Sequence, residues 1–103
     1  MPQEPIKKRI CRAKAKATRL LQSTGYRVIK SDNETFCVIA TRRREVRFIR
    51  VVVDDISAKD REAVRKVDLP GDCAREIYCL KGCAFIIEEI EPRNRSSANP
   101  PTA

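Results

Sequence analysis

The sequence predicts an α/β fold: a mixed central sheet flanked by helices, in the order α-β-β-β-α-β-β. Three observations predict it. Apolar residues recur at helical spacing from Ile6 to about Thr24. The stretch Glu34 to Asp55, ETFCVIATRRREVRFIRVVVDD, reads as two strands folded over a turn. A capped helix then separates that hairpin from a second one, over Glu76–Ile90.

In the first segment Ile6, Ile10, Ala13, Ala17, Leu20 and Leu21 share one helical face, and Gly25 follows where a left-handed cap is favoured. Its other faces carry Lys7, Lys8, Arg9, Arg12, Lys14, Lys16 and Arg19 with no acid among them. Like charges at i,i+4, such as Lys8 and Arg12, disfavour the helix, so an unopposed basic helix hints at an external anion. Tyr26–Lys30 is a short strand and Ser31–Glu34 a polar turn.

The first strand of the central hairpin spans Thr35–Thr41, the second Val46–Val53, and Arg42, Arg43 and Arg44 make the turn. The second strand alternates basic and apolar residues, then ends in Val51, Val52 and Val53. An apolar finish suggests a strand end covered on both faces. Ser57, with Asp60 three residues later, is an N-cap signature for a helix to about Val67, which Leu69–Pro70–Gly71 terminates. Ala58, Arg61, Val64, Arg65 and Val67 give that helix a thin apolar stripe. The last hairpin pairs Glu76–Leu80 with Cys83–Ile90 around Lys81–Gly82. Residues 1–91 of the 103 are expected to form a single domain, and the Pro-rich residues 92–103 to be disordered.

A net charge of +8 points to an anionic partner, nucleic acid being the commonest. No apolar run is long enough for a membrane span and the N-terminus lacks a signal-peptide core, which implies a cytoplasmic protein. Five cysteines, an odd number, argue against a complete disulfide framework. Histidine is absent, which excludes imidazole catalysis and mixed Cys/His zinc sites. Cys73, Cys79 and Cys83 match no common metal spacing and read as small buried hydrophobes. Tyr26, Phe36, Phe48, Tyr78 and Phe85 fall in strands and read as core, not as base-stacking platforms.

The element order, together with "RLLQSTGYRVIKS", "FCVIAT…EVRFIRV" and "REIYCLKGCAFIIEEI", resembles the PD-(D/E)XK nuclease superfamily over about residues 10 to 90. The nearest shape is the small archaeal Holliday-junction resolvase and its restriction-endonuclease-like relatives. The resemblance implies a restriction-endonuclease-like core. The family's metal-binding aspartate and glutamate fall on Cys37 and Arg50, its lysine on Val52, and an extra helix-1 glutamate near Lys14. Hard Mg²⁺ needs oxygen ligands, and these residues supply none. The resemblance therefore implies an inactive nuclease-like domain with no metal or cofactor.

The expected function is backbone- or structure-directed nucleic-acid binding, DNA favoured over RNA, through Lys14, Lys16, Arg42, Arg43, Arg44 and Arg50. Convergence of Lys14, Arg50 and the hairpin tip would turn the emptied site into a basic groove. One alternative is a Mg²⁺- or Mn²⁺-dependent endonuclease whose site has migrated to Asp54, with Asp32 or Glu34. The other is a protein-interaction module, and the resemblance to small dimeric members suggests a homodimer.

Overall fold

A computed structural model describes residues 5–31, 35–69 and 73–91. The fold is α/β, with the expected order: α1 (Ile6–Ser23), β1 (Arg27–Lys30), β2 (Val38–Arg42), β3 (Glu45–Val53), α2 (Ala58–Arg65), β4 (Ala74–Lys81) and β5 (Ala84–Glu89). The five strands form one sheet in sequence order. It is antiparallel except between β3 and β4, which run parallel because α2 carries the chain back across the sheet. The expected tail over 92–103, part of the Ser31–Glu34 turn, and Pro70 and Gly71 lie outside the described residues.

Two apolar clusters sit on opposite faces of the sheet. Ala13, Ala17 and Leu21 of α1 pack on Val38, Ala40, Ile49, Val51 and Tyr78. The two alanines let the helix backbone approach the sheet closely. Helix α1 has no side-chain N-cap and no acid in its first turn, so this packing must offset the basic residues beside the positive end of its dipole. Its C-terminus closes well. Gly25 adopts φ 95°, its N–H bonds to the Gln22 carbonyl, and the Tyr26 N–H bonds to that of Leu21. That is a Schellman cap, with Tyr26 packed against the cluster that holds Leu21.

On the other face Val64 of α2 meets Phe36, Ile77 and Ile90. The capping box forms as expected: the Asp60 N–H donates to the Ser57 hydroxyl and the Ser57 N–H to the Asp60 carboxylate. Val64 is the sole fully buried residue of this short helix, so other bonds must hold it. Arginines of the sheet supply them at both ends. Arg50 of β3 donates Nε to Asp60 Oδ1 at 3.0 Å. Arg75 of β4, 5% exposed, donates Nη1 to the carbonyls of Val64, Arg65 and Val67 at 2.8, 3.1 and 2.6 Å. The helix stops at Arg65, short of Val67, where these carbonyls turn to the guanidinium.

Several boundaries differ from expectation. Strand β2 begins at Val38 and not Thr35, because the chain bends at Cys37. Strict alternation would put Phe36 and Val38 on one face, yet Phe36 joins the α2 cluster and Val38 the α1 cluster. The strand covered on both faces is β4, buried from Arg75 to Cys79, whereas Val52 and Val53 are only half-buried. The second turn is Gly82–Cys83, one residue on, with Gly82 at φ 63° in its first central position. Cys79 is buried, but Cys73 is half-buried and Cys83 exposed, so the cysteines are not uniformly core; all five are free thiols.

The first hairpin turn is the two-residue loop Arg43–Arg44, and Arg43 holds φ 55°. A side chain in that left-handed region costs about 1 kcal/mol, part of which glycine returns as added unfolded-chain entropy. Arg43→Gly should therefore raise stability by about 0.5 kcal/mol, read as a higher urea midpoint at unchanged slope. A lower midpoint would mean that the arginine makes a stabilising contact at the tip.

Candidate nucleic-acid interface

The four positions aligned with the nuclease motif do not assemble. Along β3, Phe48 and Val52 pack in the α2 cluster while Ile49 and Val51 pack under α1, so Arg50 belongs to the α2 face. Its guanidinium is held there by Asp60 and by the Thr35 carbonyl, Nη1 to O 3.0 Å. Asp60 gains correspondingly: burial alone would raise its pKa, but the Ser57 N–H, the Ser57 hydroxyl and Arg50 together lower it. Cys37, half-buried, packs against the α1 cluster instead. Lys14 is on α1, across the sheet from Arg50. The tri-arginine tip is at the other end of β3, since Glu45 and Arg50 are five positions apart, about 16 Å of strand. The basic groove expected from Lys14, Arg50 and the tip is thus not formed, and Arg50 is a structural clamp.

Two more of the expected contacts are also engaged within the fold. Lys16 donates Nζ to the Cys83 carbonyl at 3.0 Å. Arg42 donates Nη1 to the Thr24 carbonyl at 2.9 Å and Nη2 to Glu45 at 3.0 Å, and its guanidinium lies 4.3 Å from the centre of the Tyr26 ring. It thereby braces the end of α1 against the hairpin. Arg47 continues the network, donating to Glu45 at 3.0 Å, to the Tyr26 hydroxyl at 2.9 Å and to Glu76. Glu45 is held below its ordinary pKa by Arg47 and then Arg42. Glu76, 5% exposed, is pushed upward by burial, which outweighs the pull of Arg47.

Lys14, Arg43 and Arg44 differ. None has a hydrogen bond or ion pair among the described residues. Arg27 and Lys30 on the edge strand β1 are likewise exposed and unpaired there. At the sheet end Arg27 lies opposite Thr41, and Gly25, Arg27, Thr41, Arg42 and Arg43 line an open groove of about 590 Å³. No carboxylate is among the described residues that line it, and Glu45 stands behind it on Arg42. Arg42 is pre-oriented by its cap and its stacking, while Arg27 and Arg43 are free to close on a ligand. Three guanidiniums and a threonine side chain suit a phosphodiester.

Sequence reasoning missed Arg27. The signal was present in YRVIK, where alternation puts Val28 under α1 and turns Arg27 and Ile29 to the opposite face.

The alternative centred on Asp54 has a different environment. Asp54 follows β3 at φ 70°, with the Asp55 N–H bonded back to the Val53 carbonyl at 2.9 Å, a tight γ-turn. Its carboxylate pairs with Arg9 at 2.6 Å, and Asp55 pairs with Lys81 at 3.4 Å. Asp32 and Glu34 lie outside the described residues, among which no group of three or more Cys, Asp or Glu could hold a metal.

No helix among the described residues is long and apolar enough to cross a membrane. Comparison with known proteins finds no matching family model, no curated relative and no similar solved structure.

Proposed function

We propose that this chain is a nuclease-like domain of the restriction-endonuclease-like kind that has lost catalysis and binds nucleic acid through the backbone, DNA in preference to RNA. The α-β-β-β-α-β-β order and the mixed sheet support the fold reading. A salt bridge occupies the place of the motif glutamate, which supports the loss of catalysis.

The observation that carries the binding reading is the groove at the sheet end, lined by Arg27, Arg42 and Arg43. Arg9, Arg47, Arg50, Arg61, Arg65 and Arg75 serve intramolecular acids or carbonyls. Among the described residues Lys7, Lys8, Lys14, Arg19, Lys59 and Lys66 are unpaired on or beside the helices, and Arg27, Lys30, Arg43 and Arg44 along β1 and at the hairpin tip, where Arg27 and Arg43 line one groove. Contact with phosphates there carries no base information, so affinity should track shape and salt.

Fluorescence anisotropy with labelled duplex, single-stranded and four-way-junction DNA, across about 50 to 300 mM salt, tests it. Three phosphate contacts give a log–log salt slope of about −3. Arg27→Glu/Arg43→Glu should weaken binding by at least about tenfold and flatten the slope by about two. The DNA should be recovered intact with Mn²⁺ present. Unchanged affinity in the double variant would remove this surface from consideration. Cleavage in Mn²⁺ that Asp54→Ala abolishes would overturn the loss of catalysis.

A further inference from the structure

The two edges of the sheet are finished differently. Strand β1 is four residues long and exposes Arg27 and Lys30, charges that discourage another strand from adding. Strand β5 has six residues, AFIIEE, in unbroken register with β4, and contains no proline, lysine or bulge. Ile86 and Ile87 on it are 51% and 49% exposed, with Leu20 of α1 at 41%. Leu20 lies one helical turn beyond Lys16, on the flank that reaches Cys83 beside β5.

The hairpin geometry decides which backbone groups are open. Lys81 and Ala84 close the two-residue loop and exchange both hydrogen bonds. Alternation then leaves Phe85 and Ile87, opposite Leu80 and Tyr78, with their N–H and C=O groups directed to the open edge. Their side chains lie on the α1 face, where the Phe85 ring sits 5.7 Å from that of Tyr78. Ile86 and Glu88 lie on the α2 face, where Glu88 is paired with Arg61 at 2.7 Å.

We propose that the β5 edge is the seat of a second copy of this chain, added antiparallel about a two-fold axis through Ile86. In this register Phe85 faces the partner's Ile87 and Ile86 faces the partner's Ile86. The outward groups of Phe85 and Ile87 then complete a ladder, and apolar side chains meet on both faces. Glu89 comes opposite the partner's Cys83. Lys16 stands over that turn through its bond to the Cys83 carbonyl, and Glu89 is exposed on the same sheet face. The two-fold therefore brings Glu89 of each copy to the partner's Lys16, twice over. A head-to-tail addition onto β1 has no such match, because the positive charges there guard the edge. Both β1 edges remain outside the interface, so this inference is independent of nucleic-acid binding.

Sedimentation velocity of the full chain from about 1 μM to 1 mM tests it. A concentration-dependent dimer is expected. Ile86→Lys places two ammonium groups together on the axis and should weaken it by at least about 100-fold. Lys16→Glu alone should weaken it by about tenfold, while Lys16→Glu/Glu89→Lys restores it to within about threefold. The charge swap keeps the test valid if Ile86→Lys fails to fold. A monomer throughout, or a dimer that neither Ile86→Lys nor Lys16→Glu weakens, would overturn the proposal. So would a dimer that forms only after removal of residues 92–103, since the chain itself would then cover the edge.

Discussion

Replacing Arg75 by methionine is expected to destabilise the domain by about 3–5 kcal/mol, a large share of the roughly 5–15 kcal/mol that holds a domain of this size together. The guanidinium is buried in β4 and one of its nitrogens serves three carbonyls at the end of α2. Methionine fills most of the volume, so the loss isolates the polar term. Carbonyls left without a donor in a partly buried setting cost about 1–3 kcal/mol each before relaxation. The cation also lies at the negative end of the helix dipole, where its removal adds to the loss. Urea unfolding would show a lower midpoint, and hydrogen exchange would show α2 opening ahead of the sheet. Arg75→Lys should recover part of the loss, since an ammonium keeps the charge but spreads three donors differently. A loss under about 1 kcal/mol for the methionine variant would mean that water replaces the guanidinium at the helix end.

This clamp was invisible in the sequence, and the reason is physical. Hydrophobic period and turn chemistry are local signals, and they identified both helices, the two hairpins and the capping box at Ser57–Asp60. What Arg75 touches depends on the parallel crossover that brings β4 beneath the end of α2, a contact across ten residues or so of chain. A charged residue in "REIYCL" reads as a strand facing water, yet among the described residues Arg75 and Glu76 are the buried charged pair. The expected basic surface failed in the same way. Counting arginines does not distinguish Arg42, capped onto Thr24 and stacked on Tyr26, from Arg43, which protrudes one residue later. Motif alignment likewise assumed unbroken strand alternation, and the bend at Cys37 separates Cys37 from the face of Arg50.

That separation gives the second large effect. Arg50→Glu, which puts an acid at the position that aligns with the motif glutamate of the nucleases the sequence resembles, is expected to cost about 3–4 kcal/mol at neutral pH and to confer no cleavage. The new carboxylate would stand beside Asp60, whose side chain is 16% exposed, and would leave the Thr35 carbonyl without its donor. Like charges about 4 Å apart repel by about 4 kcal/mol at an effective dielectric of 20, partly relieved when the pair takes up a proton. The pH dependence then changes sign. In the native protein Asp60 is depressed below 3.8, so its contribution is complete above that value and is lost as the pH falls through its folded pKa. In the variant the carboxyl pair is raised when folded, so the folded state binds more protons than the unfolded one. Stability relative to the native protein should therefore increase as the pH falls from about 6 toward 4.5. Arg50→Gln, which removes the pair without adding a charge, should lose about 2 kcal/mol and show no such reversal. Urea unfolding midpoints of the three proteins between about pH 4.5 and 7 would separate these cases. If Arg50→Glu tracked Arg50→Gln at every pH, the introduced carboxylate would be pointing into water, and the ion pair with Asp60 would be a weak surface contact instead of the bond that seats α2.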